Sequence, residues 1–215
     1  MISHQHETIF IHIPKCAGTS IERVFLDDIN VTWQNRGPLL LRKNENLEVG
    51  PPRLAHLTCN EYTKFHYISK KLFRKYFKFS ICRNPYSRTY SLYKYTTDQT
   101  ESFDSFACSL KEKLSKSEQF WFFRPQTDFI FKKNGNLAID FLGRLETIDK
   151  DFSYIRKKSY LKVLKLPQRN ISKPKNCNDA ENSDIKDIKQ SLSKQAIGQI
   201  IELYQRDFEL LGYET

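Results

Sequence analysis

Lys15, Gly18, Thr19 and Ser20 fall within seven residues, Pro14-Lys15-Cys16-Ala17-Gly18-Thr19-Ser20. These residue types at this spacing suit the binding of an anion. A glycine lets the backbone approach a ligand closely. Hydroxyls and unpaired amides at a helix N-terminus attract negative charge, and a lysine adds a point charge. A second stretch, Arg83-Asn84-Pro85-Tyr86-Ser87-Arg88-Thr89-Tyr90-Ser91, has similar chemistry. Proline suits the first turn of a helix. A helix opening at Pro85 puts Arg88 and Ser91 one turn apart on one face, with Arg83 just ahead of it. Guanidinium forks donate in pairs to phosphate oxygens, so two arginines and a hydroxyl could converge on one phosphate.

The elements that must hold these residues follow from periodicity. Thr8 to Ile13 is a β-branched apolar run, predicted as a buried strand that Pro14 ends. Ile21, Val24, Phe25 and Asp28 recur at helical spacing, with the apolar side on the first three. Phe77 to Cys82 is a second apolar strand. Each anion motif therefore follows a strand and opens a helix. Residues 37–52, punctuated by Pro38, Gly50, Pro51 and Pro52, read as a loop, and Ile139 to Leu142 as a core strand. Ser183 is placed to cap a helix carrying Ile185, Ile188 and Leu192. Ile197, Ile200, Ile201, Tyr204 and Phe208 continue at helical spacing until Gly212. The expected architecture is one α/β domain over residues 1–215, a mostly parallel sheet flanked by helices.

Composition bounds the function. The chain has 215 residues, 39% of them hydrophobic, with 16 Phe and 11 Tyr, which excludes wholesale disorder. Seven Gly and eight Pro exclude a collagen-like chain. No apolar run reaches the roughly 18 residues of a membrane span, and no signal peptide is visible, so a cytoplasmic protein without a membrane span is expected. Five Cys without a C-x-x-C pair fit reduced thiols rather than a disulfide framework or zinc ribbon. No Asp/Glu/His cluster stands at metal-ligand spacing, so no metal is expected. The net charge is +10. It concentrates in two acid-free stretches, nine Lys or Arg between Glu61 and Asp98 and eight between Asp151 and Asp179. An excess of this kind favours an anionic partner.

The loop departs from the Walker A pattern, because Lys15 precedes Gly18 instead of following a second glycine. Ile11-His12-Ile13-Pro14-Lys15-Cys16-Ala17-Gly18-Thr19-Ser20 resembles the 5′-phosphosulfate loop of the carbohydrate sulfotransferases, the branch that includes heparan sulfate 2-O- and chondroitin sulfotransferases. Arg83-Asn84-Pro85-Tyr86-Ser87-Arg88-Thr89-Tyr90-Ser91 resembles the 3′-phosphate motif of the same family. The stretches Arg124-Pro125-Gln126, Ala138 to Glu146 and Leu203 to Tyr213 also resemble family segments, so the likeness runs from Thr8 to Tyr213. It implies a P-loop-like sulfotransferase fold and 3′-phosphoadenosine 5′-phosphosulfate (PAPS) as donor. It implies that Lys15, Cys16, Ala17, Gly18, Thr19 and Ser20 hold the phosphosulfate, and that Arg83 and Ser91 hold the 3′-phosphate, with Arg88 either assisting or packing. A basic loop that covers the nucleotide in the family corresponds to a segment containing Arg169, Ser172 and Lys173. The acceptor implied is a carbohydrate or other hydroxyl compound, anionic if the remaining positive charge serves it.

Such a transfer needs a base to take the acceptor's proton, and a near-neutral imidazole suits it. The resemblance puts a histidine between the two nucleotide motifs, where His56 stands. Of the other histidines, His4 and His6 are expected in a frayed terminus, His12 inside the first strand, and His66 in a basic helical segment; Glu61 and His66 are alternative bases. Trp121, in Phe120-Trp121-Phe122-Phe123, is a candidate sugar contact within an otherwise core-like cluster. Two other classes compete. A P-loop phosphotransferase would need the Walker lysine and an acidic Mg²⁺ ligand at a strand end. A non-enzymatic polyanion or nucleic-acid binder would account for charge and aromatics but not for two phosphate motifs, so no nucleic-acid partner is expected.

Overall fold

The two strands that lead into the anion motifs lie side by side and parallel, Thr8 opposite Phe77 and Ile11 opposite Ser80. The computed structural model describes residues 1–97, 100–166 and 185–215. Along the chain come β1 (Ile2–Ser3), β2 (Thr8–Ile11), α1 (Gly18–Asp28), α2 (Cys59–Lys64), α3 (Lys70–Lys75), β3 (Phe77–Cys82), α4 (Pro85–Thr96), α5 (Phe103–Cys108), α6 (Leu110–Lys116), α7 (Thr127–Ile130), β4 (Phe141–Arg144), α8 (Ile148–Lys158), α9 (Ile185–Gln190), α10 (Lys194–Leu203) and α11 (Gln205–Leu211). The class is α/β, as the alternation of strand and helix patterns predicts. Chain contacts group the described residues into two compact units, one of residues 1–82 and 128–166, the other of 83–97, 100–127 and 185–215.

The first unit holds the sheet, ordered β1-β2-β3-β4, with β2, β3 and β4 parallel and β1 antiparallel at the edge. A parallel strand is covered on both faces and reads as a nearly continuous apolar run. Ile9, Phe10, Ile11, Phe79 and Ile81 accordingly have no exposed surface. Phe10 stacks on Phe79 at 4.9 Å, and Phe25 of α1 lies 6.2 Å from Phe79. Ile21, Val24 and Phe25 face this core, as their spacing requires.

Three expectations change here. β2 stops at Ile11, two residues short of the predicted end. The Ser80 hydroxyl donates to the Ile11 carbonyl at 2.6 Å and His56 Nδ1 donates to that of His12 at 3.1 Å, so side chains take over where the ladder ends. The terminus is not frayed: β1 pairs with β2, and His6 is buried, with Nδ1 2.6 Å from Ser3 Oγ and Nε2 3.0 Å from Asp28 Oδ2. The Asp28 carboxylate lies below its ordinary range; burial raises it, but hydrogen bonds and charge from His6 and Lys162 prevail. β4 begins two residues late, because the Asp140 carboxylate takes the Lys78 amide at 2.7 Å and its ammonium at 2.8 Å.

The second unit is helical. Tyr86, Leu92, Phe106, Phe122, Ile200 and Tyr204 belong to its buried core. Ser193 caps α10 by accepting from the Ala196 amide, and Gly212, at φ 68°, ends α11 in the left-handed conformation that glycine adopts without cost. Ser183, the expected cap of the preceding helix, lies outside the described residues.

Candidate active site

The loop after β2 turns sharply into α1. Lys15 and Ala17 both have left-handed backbone, at φ 67° and 58°. Each such residue other than glycine costs about 1–2 kcal/mol, strain of the kind that collects at ligand clamps. Alternating backbone of this type turns successive amides toward one point, a cradle for an anion. Ala17 is the N-cap of α1 and supplies no side-chain oxygen to its first-turn amides. Its carbonyl takes the amides of Ser20 and Ile21. An uncapped N-terminus of an 11-residue helix favours negative charge. Lys15, at the mouth of this turn, and Thr19 are partly exposed, whereas Cys16 is buried and its thiol points at the Pro14 carbonyl.

Gly18 is required by a neighbour. A β-carbon there would fall 1.8 Å from Nε2 of His12. His12, predicted inside the strand, is the first residue beyond it, with Nδ1 2.6 Å from the buried carboxylate of Glu22. The sequence reading missed this pair. Its one local signal is an acid, Glu22, beside the apolar stripe of α1 and one turn after Gly18.

His56 lies against the same residue. Its ring is 4.3 Å from that of His12, and its Nδ1 is 3.1 Å from the His12 carbonyl oxygen. A carbonyl only accepts, so Nδ1 carries the proton and Nε2 keeps a lone pair. Burial pushes His56 well below its ordinary pKa, and the charges of His12, Arg53 and the terminal amine act the same way, against the bond to the His12 carbonyl. A neutral imidazole with an unprotonated Nε2 is a base in working form. The alternatives have other tasks. Glu61 accepts from the Thr58 amide at 2.7 Å in a capping box at the start of α2. His66 is exposed in a left-handed turn beyond that helix.

The second motif is built within the second unit. Asn84 caps α4, accepting from the Tyr86 amide at 2.9 Å, and Pro85 takes the first helical position as predicted. The Gln126 side chain holds the Arg83 main chain at both ends, accepting from its amide at 2.9 Å and donating to its carbonyl at 2.8 Å. Nε of Arg83 donates to Ser87 Oγ at 3.0 Å. Gln126 is fixed in turn, because the buried Asp207 carboxylate takes the amides of Gln126 and Thr127 and the Thr127 hydroxyl within 2.9 Å. Burial raises the Asp207 carboxyl above its ordinary range, and Arg88 and these three bonds pull against that rise. Gln126 and Asp207 were seen only as parts of family-like stretches, without a role.

Arg88, the second guanidinium of the motif, is held inside the unit. It is 1% exposed, donates to the carbonyls of Phe122 and Arg124 at 2.9 and 3.0 Å, and lies 5.4 Å from the Tyr204 ring centre. Of the two roles left open for it, packing is the one its contacts fill. Ser91 is partly exposed on α4. Phe122 and Phe123 are core, whereas Trp121 is only partly buried and its Nε1 has no hydrogen-bond partner among the described residues. Arg169, Ser172 and Lys173 lie outside the described residues.

Among the described residues, no group of His, Cys, Asp and Glu could hold a metal ion, and no helix is long and apolar enough to cross a membrane. No curated protein and no solved structure matches the chain significantly. One family profile does match, that of the sulfotransferase family, over residues 1–214. That span contains the strained loop that opens α1, the imidazole beside it and the arginine motif ahead of α4, and the chain therefore belongs to the sulfotransferase family, whose chemistry is sulfuryl transfer.

Proposed function

We propose that this sulfotransferase moves the sulfuryl group of PAPS to a hydroxyl of a carbohydrate acceptor. The observation that carries the reading is the union, in one unit, of an anion cradle at Lys15–Ser20 with a histidine, His56, whose tautomer leaves Nε2 ready to take a proton. The loop amides and Lys15 hold the phosphosulfate, while Arg83 and Ser91 hold the 3′-phosphate. Arg169, Ser172 and Lys173 are proposed to cover the nucleotide.

In the reaction the acceptor hydroxyl oxygen attacks sulfur in line with the bond to the 5′-phosphate. His56 Nε2 takes the hydroxyl proton as the new oxygen–sulfur bond forms. The old bond breaks with its electron pair on the phosphate oxygen, where Lys15 offsets the growing charge. Fixing both reactants in one orientation supplies much of the acceleration in such bimolecular transfers. The positive charge left over favours an acidic glycan. The test is a screen with donor labelled in the sulfuryl group, against glycans, glycolipids and small phenols. Label on a glycan hydroxyl is the expected result, and label on phenols alone would refute the carbohydrate assignment.

A further inference from the structure

Transfer as proposed uses Lys15 and His56 and leaves a buried ionisable pair beside them without a task. His12 Nδ1 and Glu22 Oε1 are 2.6 Å apart, with side-chain exposures of 8% and 3%. A carboxylate only accepts, so His12 also carries its proton on Nδ1. The His12 ring is held on three sides: it stacks on Phe10 at 5.4 Å, lies 4.3 Å from His56, and abuts Gly18, where a β-carbon would be 1.8 Å from Nε2.

His12 also stands beyond the end of β2, outside its ladder register with β3 among the described residues. The last carbonyl held from the sheet is that of Ile11, by Ser80. What orients the next carbonyl, the one that accepts from His56, is therefore the anchorage of the His12 side chain. A buried carboxylate is costly to keep unless it is paired, and its position on α1 one turn after Gly18 ties it to the helix that opens at the cradle.

The geometry points to Glu22 and His12 as positioning residues for sulfuryl transfer, a relay in which the α1 carboxylate fixes the His12 ring and the His12 carbonyl fixes the tautomer and place of the base His56. The relay rests on the reading of His56 as the base. Its consequence is a division of labour: the Glu22 contact serves the base through the His12 carbonyl, while Lys15 and the loop amides hold the donor.

The test pairs a direct readout of His56 with turnover. Ring-nitrogen NMR of the full chain at pH 7 should show His56 with Nδ1 protonated and Nε2 unprotonated, assigned by the loss of those signals in His56→Asn. In Glu22→Ala the two nitrogens should move toward a common averaged shift, and kcat should fall at least tenfold while the affinity for adenosine 3′,5′-bisphosphate stays within threefold. Glu22→Gln, whose amide oxygen still accepts from Nδ1, should restore the wild-type tautomer and most of kcat. A His56 tautomer unchanged in Glu22→Ala overturns the relay. A loosened tautomer with unchanged kcat overturns the base reading instead. Equal loss of nucleotide affinity and kcat in both Glu22 variants would make the pair merely structural and also overturn the relay.

Discussion

Gly18 and His12 fit so closely that a single methyl at Gly18 would overlap the imidazole, 1.8 Å from Nε2. The ring cannot easily yield, because Glu22 and Phe10 hold it. Gly18→Ala should therefore destabilise the chain by about 1–3 kcal/mol, the usual cost of overpacking. It should also lower transfer at least tenfold, since loop and base both shift. Denaturant titration and turnover of the purified variant check the two effects.

Gln126 and Arg83 give a second expectation. The side-chain amide grips the arginine main chain at both polar atoms, and loss of that grip leaves Arg83 on a looser turn. Gln126→Ala should weaken binding of adenosine 3′,5′-bisphosphate roughly tenfold, the size of about one net hydrogen bond and its ordering effect. Turnover at saturating donor should change little. A KM-against-kcat comparison separates this from general misfolding, which would lower both.

The buried Arg88 predicts a stability effect. Its guanidinium supplies two carbonyls and lies near the Asp207 carboxylate, whose protonation it opposes. Arg88→Met should cost about 1–3 kcal/mol, because it leaves the buried Phe122 carbonyl without its donor. The change should appear as a lower denaturant midpoint.

His56 makes stability depend on pH. Its folded pKa lies well below the ordinary 6.5, so between the two values the unfolded chain binds the proton and the folded chain does not. Stability is then complete above about pH 6.5 and falls as pH drops below it. His56→Asn removes this contribution. Between pH 7 and pH 5 the wild type should lose more unfolding free energy than the variant, and parallel denaturant curves at the two pH values measure the difference.

Much of the fold was legible because it is written in local periodicity. Phe77–Cys82 is a strand and α4 opens at Pro85, as the apolar run and the proline predict. The strand-loop-helix order around Lys15 was readable for the same reason. What was hidden depends on partners far apart in the chain. Nothing near Gln126 says that it will grip Arg83, 43 residues away. His6 looked like part of a loose terminus until Asp28, 22 residues on, took its ring. β2 ended two residues early and β4 began two residues late because side chains, Ser80 and His56 in one case and Asp140 in the other, satisfied backbone groups that a pattern assigns to the ladder. His12 could be placed only once its carbonyl and ring were seen to face His56 and Gly18.

Calorimetric titration with adenosine 3′,5′-bisphosphate tests the central claim most directly, because it needs no acceptor. The account predicts saturable one-to-one binding that is abolished in Arg83→Ala and strongly weakened in Lys15→Ala, and little changed in His56→Ala. Failure of the wild-type chain to bind the nucleotide, or binding that both charge variants retain unchanged, would contradict it.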